Sequence, residues 1–347
     1  LVLAEGNRMK TGQQLFCALL GAPDTQFVIP VYQRVYAWGS KQCDTLWNDI
    51  LRAGQRNVPH FIGTVLIAEE ESPDDLRCID VIDGQQRAAT ITLLIAALRD
   101  YLSERDLSIG DVDADLIDRT FLFSRSNDPC KLHLASPDQP TLRAVLNRSD
   151  LPEDDDLSEN VVANYRRFRQ KMESGFDVAT FWRGLNQLLV IVADLDEDDR
   201  PQAVFESLNS KGMPLTTADL ARNLLFIGIG YDEQSRLYAQ YWEPVEKLYE
   251  NDDAAVSLNA ALRGWLAIKA PHLRISDKDD VYAAFKSYLQ NDYHGQTEEL
   301  LRGLSGFLRT FAAKTQAAAL QRQDDHMAWG TGGRTKGLLV DRKLFGD

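Results

Sequence analysis

Asp83, Gly84, Gln85, Gln86 and Arg87 stand in one unbroken run, and their types suit contact with a phosphate. A guanidinium is a planar fork of N–H donors that matches phosphate oxygens, and a glycine lets backbone approach a ligand closely. Two neutral amides can contact a sugar, a base or a phosphate without the cost of burying charge. Asp83 is the carboxylate of the group, and hard cations such as Mg²⁺ prefer oxygen ligands. The same residues also read as a polar turn capping a core helix, with Arg87 in a structural ion pair. Residue types alone leave both readings open.

The flanking elements decide where such a turn would sit. Cys78–Ile82 is a short apolar run that ends at Asp83 and Gly84, which predicts a strand. Ile91, Leu94, Ile95, Leu98 and Leu102 then recur at helical spacing and form one apolar stripe. The polar run therefore falls where a strand hands over to a helix near Gln85, with the helix ending near Leu102. A helix start carries unpaired N–H groups and the positive end of the macrodipole, so it favours anions.

Two further segments hold polar groups at turns. In Phe205–Asp219, Asn209, Lys211 and Gly212 precede Pro214 and a capping-box-like Thr216 with Asp219 three residues on. Lys211 beside Gly212 offers a point charge next to exposed backbone donors. The glycine and threonines are equally explained by one helix ending and the next beginning. In Phe27–Trp38, Pro30 keeps the chain out of a helix interior, which predicts an extended aromatic segment. Its Tyr32, Tyr36 and Trp38 read by residue type as plain core.

The rest of the chain supplies scaffold. Residues 10–20 read as a short helix, and Ser40 is placed to cap a helix through about Leu51. Phe61–Ala68 and Arg77–Ile82 read as a strand pair joined by an acidic loop. Pro129, Pro137 and Pro140 break the pattern before a candidate boundary at Leu151, after which Val161–Met172 reads as helix and Leu188–Ala193 as a buried strand. Residues 200–208 are a predicted helix, and beyond 232 the pattern is helical throughout. This predicts an α+β protein with one domain over residues 1–150 and a mostly helical one over 151–347. Gly330–Gly337 imitates a phosphate loop, but the required Gly-x-x-x-x-Gly-Lys-Ser/Thr spacing is absent, so it reads as a connector to a further domain.

Composition narrows the partners. The net charge of −14 excludes a uniformly basic surface, since generic DNA affinity comes from neutralising phosphates with Lys and Arg. Any DNA contact must be a local basic face on an acidic body. Cys17, Cys43, Cys78 and Cys130 are scattered without metal-ligand spacing, and the first twenty residues lack the order of a secretory signal. With no apolar run long enough to span a bilayer, the expected place is the cytoplasm.

Ile29–Arg34 with Tyr36 and Trp38, then His60–Gly63, Asp83–Arg87 and Phe205–Gly212, occur in that order. As an ordered set they resemble the N-terminal domain of the GmrSD-type restriction endonuclease family, over about residues 10–230. The resemblance implies a small ParB- and sulfiredoxin-like α/β domain followed by a mostly helical region. It also implies NTP hydrolysis, with GTP or another NTP as ligand and Mg²⁺ as cofactor. Asp83, Gln85, Gln86 and Arg87 would be catalytic, with Asp83 as the metal ligand. Gly84, Asn209, Lys211 and Gly212 would bind nucleotide. Phosphorothioate-sensing members of the family suggest double-stranded, modified DNA as a partner. Pro30, Tyr32, Gln33, Arg34 and Trp38 would then form the sensor.

The family's HNH nuclease domain is expected as a further partner, in the same or a separate chain. Residues 232–347 hold only His272, His294 and His326 and no His-Asn-His arrangement. The competing expectation is a modified-DNA-binding module that does not hydrolyse NTP, in which the Asp83–Arg87 turn is architectural or holds a DNA phosphate.

Overall fold

The computed structural model describes residues 10–70, 76–126, 129–135, 138–153, 157–195, 217–226, 229–249, 257–273, 275 and 281–328. The chain divides into two compact units at Ala239/Gln240. The first unit is built on β1 (Lys10–Leu15), α1 (Phe16–Leu20), β2 (Thr25–Val28), α2 (Ser40–Arg56), β3 (His60–Glu70), β4 (Arg77–Asp83) and α3 (Gln85–Arg105). After these come α4 (Ala114–Ile117), β5 (Leu132–His133), α5 (Asp138–Asn147), α6 (Glu159–Glu173), α7 (Val178–Leu185), β6 (Leu188–Leu195), α8 (Thr217–Phe226) and α9 (Tyr231–Leu237).

Six strands form one mixed sheet in the order β1-β6-β3-β4-β2-β5. β3 and β4 are the predicted antiparallel pair, while β6 lies parallel to β3 on its other side. β1 pairs antiparallel with β6, Lys10 facing Asp194 and Leu15 facing Leu189. The fold is α+β.

α3 is the central helix. Its predicted stripe is buried, but so are Thr90, Thr92, Leu93, Ala96 and Ala97 on its other faces. A helix covered all round belongs in the middle of a domain rather than on its surface. Elements from both sides of the expected boundary cover it: Phe168 and Met172 of α6, and Phe181 and Leu185 of α7, join one core with Ile91, Leu94 and Leu98. Trp47 of α2 stacks on Phe168 at 6.5 Å and meets Phe181 at 4.4 Å in that core.

Two expectations therefore change. The boundary placed at residue 150 falls inside a single compact unit, because β6, α6 and α7 come from beyond it and complete the sheet and core. The helix expected over residues 10–20 is a strand followed by one helical turn. Lys10–Leu15 extends because β6 offers it a backbone partner, which local propensity cannot reveal.

The second unit contains α10 (Glu243–Tyr249), α11 (Leu258–Lys269), α12 (Val281–Asn291) and α13 (Thr297–Ala328). Trp265 is its anchor, meeting Phe285 at 5.9 Å and Tyr288 at 5.1 Å edge to face. Leu262, Leu266, Leu301, Leu304 and Leu308 are buried in the same unit. Among the described residues no helix is long and apolar enough to cross a membrane.

Candidate functional site

β4 ends at Asp83 and α3 begins at Gln85, so the polar run occupies the predicted strand-to-helix turn. Gly84 makes it possible: its φ of +100° is a conformation that side chains rarely adopt. Its place is also crowded, since an added Cβ would stand 3.2 Å from the Val65 side chain and 3.4 Å from Arg87 Nη2.

Arg87 turns inward. Its Nη1 donates to the Ile62 carbonyl at 3.0 Å and its Nη2 to the Thr64 carbonyl at 2.5 Å. Between those acceptors β3 breaks its register with β6, and Gly63 sits at φ +119°. A Cβ on Gly63 would lie 2.1 Å from Arg87 Nη1, so the glycine is required for the guanidinium to reach both carbonyls. Arg87 thus holds an irregular stretch of strand in place.

The third contact of Arg87 is Asp83, with Nη2 3.4 Å from Oδ2. Burial pushes the Asp83 carboxyl above its usual value, against the attraction of Arg87, the Gly84 N–H and Arg34. Burial likewise lowers the Arg87 guanidinium, against the pull of Asp83. For both partners desolvation outweighs attraction, as suits a pair held apart rather than in close contact.

Both glutamines are spent on residues 33–38, a strap that crosses the start of α3. Gln86 Oε1 accepts from the N–H groups of Ala37 (2.8 Å) and Trp38 (3.2 Å), while its Nε2 donates to the Val35 carbonyl at 3.2 Å. Gln85 Nε2 donates to Gln33 Oε1 at 3.1 Å, and Gln33 Nε2 donates to the Ile82 carbonyl at 2.8 Å. Side-chain amides here replace the backbone partners that an irregular strap lacks.

Residues that sequence reasoning did not single out complete the strap. Asn164 Nδ2 donates to the Trp38 carbonyl at 2.6 Å and to the Tyr36 hydroxyl at 3.0 Å, and Asn160 Nδ2 to the Tyr36 carbonyl at 3.1 Å. Asp138 Oδ2 accepts from Tyr36 N–H at 2.5 Å. Arg222 Nε donates to the Tyr32 carbonyl at 2.6 Å, and Gln234 Oε1 accepts from Val31 N–H at 3.2 Å. The asparagine pair at i, i+4 on α6 was the one legible hint of a shared face.

The expected sensor residues divide. Pro30, Tyr32 and Gln33 are buried, whereas Arg34 and Trp38 are partly exposed and Val35 is 44% exposed. Arg34 acts on Asp83 electrostatically but makes no hydrogen bond or ion pair among the described residues. Its Nε is shut away from solvent without an acceptor.

His60, at the start of β3, points Nε2 at Asp49 Oδ2 (3.4 Å). Asn209, Lys211 and Gly212, with the rest of Phe205–Gly212, lie outside the described residues, as does Gly330–Gly337.

Asp83 fits a protein-held Mg²⁺ poorly. Its nearest charged neighbours are two guanidiniums, and among the described residues no group of three His, Cys, Asp or Glu could hold a metal. Two clefts on the described surface lie away from the turn. One of 530 Å³ is lined by Trp47, Leu51, Lys171 and Phe176, and one of 380 Å³ by Asp100, Arg148, Val162 and Tyr165.

No curated protein matches the chain. The sequence pattern of the family described as GmrSD restriction endonuclease, N-terminal domain, matches residues 16–226, more than half of the 347 residues. That span holds five of the six strands (β2 to β6), α3, the strap and the polar turn, so the chain belongs to the GmrSD restriction endonuclease N-terminal domain family and has its place in a restriction system.

Proposed function

We propose that this chain is the NTP-hydrolysing, modified-DNA-sensing region of a restriction protein, and that it controls an HNH nuclease domain in the same or a separate chain. The observation that carries this reading is the turn at Asp83–Arg87. The Arg87 guanidinium lies 3.4 Å from the Asp83 carboxylate at the start of a buried helix, and the charge of Arg34 acts on the same carboxylate, inside the span that defines the family. Excess positive charge at a helix start is an anion site by composition and by field.

Phosphoryl transfer asks mostly for positioning and charge neutralisation, which such a site supplies. Lys211, with Asn209 and Gly212, is the second phosphate contact in this reading. The sensor is the strap, whose partly exposed Trp38 and Val35 beside Arg34 suit a phosphorothioate. Its sulfur is softer and less well hydrated than oxygen.

The second reading is a DNA-binding module without hydrolysis, and it has its own support. The side chains of Gln85, Gln86 and Arg87 direct their hydrogen bonds inward, to the strap and to β3. Phosphate release from GTP and from ATP separates the two, measured without DNA, with plain duplex and with phosphorothioate duplex. Turnover that rises with modified duplex supports hydrolysis coupled to sensing. Absent turnover with salt-sensitive duplex binding overturns hydrolysis and leaves the DNA-binding module.

A further inference from the structure

The two arginines at the turn are not equivalent. Arg87 has its guanidinium committed to two carbonyls and Asp83, and Gly63 has no side chain where one would collide with it. A group so enclosed is positioned to hold the fold. Arg34 is the opposite case. Its head carries five N–H donors, it makes no hydrogen bond among the described residues, and its Nε is buried without an acceptor. Arginine stays charged at any working pH, so it cannot relieve that burial by losing a proton.

The strap around Arg34 is fixed on both sides. Gln33 is bonded to Ile82 and Gln85, and the Val35 carbonyl to Gln86, so the backbone of Arg34 is held while its buried Nε has no acceptor. Asp83 lies close enough to feel its charge yet forms no bond with it. Native structures rarely leave a buried donor unmatched, and where they do on rigid backbone, a missing acceptor is the simplest cause.

We infer that Arg34, and not Arg87, is the guanidinium that receives the phosphate, with Arg87 acting as a positioning residue that holds β3 and Asp83. This rests on the reading of the turn as a phosphate site. The recognised chemistry is a phosphoryl or thiophosphoryl oxygen, from a nucleoside triphosphate or from the DNA backbone. Arg34 meets it through the planar fork that a lysine lacks.

The test compares the unaltered chain with Arg34→Ala, Arg34→Lys and Arg87→Ala. Binding of GTP, ATP, plain duplex and phosphorothioate duplex is titrated for each, beside a thermal melt. Arg34→Ala should melt at the same temperature or higher and lose at least tenfold in affinity, with Arg34→Lys recovering only part. The probe that suffers identifies the source of the phosphate. Arg87→Ala should melt lower, with any affinity loss following the loss of folded protein. If Arg34→Ala binds every probe as the unaltered chain does, the inference fails while the phosphate-site reading stands. A lower melt for Arg34→Ala, or full folding with lost binding in Arg87→Ala, also overturns it. If the unaltered chain binds none of the probes, both fail.

Discussion

The two ends of α3 each bury arginine, and they solve the problem differently. Near the C-terminal end Arg99 is 1% exposed, with Nη1 2.5 Å from Asp118 and Nη2 donating to the Leu146 carbonyl at 3.0 Å; its Nε makes no hydrogen bond, yet it lies 2.7 Å from the Asp100 carboxylate as an ion pair. Arg148 and the Tyr165 hydroxyl complete the shell of Asp100, at 2.6 Å each. Two guanidiniums face two carboxylates, so charge closes. At the N-terminal end Arg87 and Arg34 face Asp83 alone among the described residues, and one guanidinium has no acceptor. The first arrangement is what a scaffold needs. The second is complete only with an anion added, which is why the functional reading rests on that end.

The largest effect should come from the balanced end. Arg99→Ala leaves Asp100 and Asp118 without their shared cation in a buried place, at an expected cost of about 3–5 kcal/mol. Urea unfolding measures it, and Arg34→Ala should change stability by far less. Equal losses for the two variants would break the distinction between a structural and a receptive arginine.

Next in size is Gln86→Ala, which strips an acceptor from two strap N–H groups and a donor from one strap carbonyl. An expected loss of about 1–3 kcal/mol follows from leaving such groups unpaired. The same variant should loosen the strap, so hydrogen exchange at Ala37 and Trp38 should speed up more than exchange in the middle of α3. Unchanged protection at those two amides would mean that Asn160, Asn164 and Asp138 suffice to hold the strap. Gly63→Ala tests the other side of the turn. It forces Arg87 off the Ile62 carbonyl and should lower the melting temperature, whereas Gly12→Ala, where nothing lies within 4 Å of an added Cβ, should not.

The sequence carried the local part of this site and not its wiring. The apolar run before Asp83, the glycine and the helical spacing after Arg87 mark strand, turn and helix within a few residues, because each signal is local. Pro30 likewise kept Phe27–Trp38 out of a helix, but the extended segment expected there ends at Val28 and gives way to a turn at residues 31–33. The direction of Arg87 was not legible, since it depends on the bend at Gly63 in another strand. Nor was the role of Asn160 and Asn164, which meet the strap across more than a hundred residues of chain. β1 was misread for the same reason: Lys10–Leu15 has little apolar alternation, and its partner strand begins only at Leu188. Arg34 stood in the sequence as one polar residue among aromatics. Its lack of partners is a property of the packed structure.

The smallest effects are the sharpest on sign, because two aspartates are perturbed in opposite directions. Asp44 is held down at about 2 by its bonds to Arg167 and Lys171, below the usual 3.8. Its contribution to stability is therefore present above pH 4 and lost as pH falls through about 2. The pair is partly exposed, so Asp44→Asn should cost under about 1 kcal/mol at pH 7 and progressively less as pH falls below 4. Asp83 is raised by burial, so its protonated form is the better tolerated one. Whatever it contributes is present below pH 3.8 and declines as pH rises through its folded value. Relative to the unaltered chain, Asp83→Asn should therefore become more stable as pH rises from 3.5 to 7, while Asp44→Asn becomes less so. Melts across that range read both slopes. A downward slope for Asp83→Asn would show that Arg87 and Arg34 stabilise the charged carboxylate more than burial penalises it. The turn would then be charge-satisfied like the far end of α3, and its call for an added anion would fall.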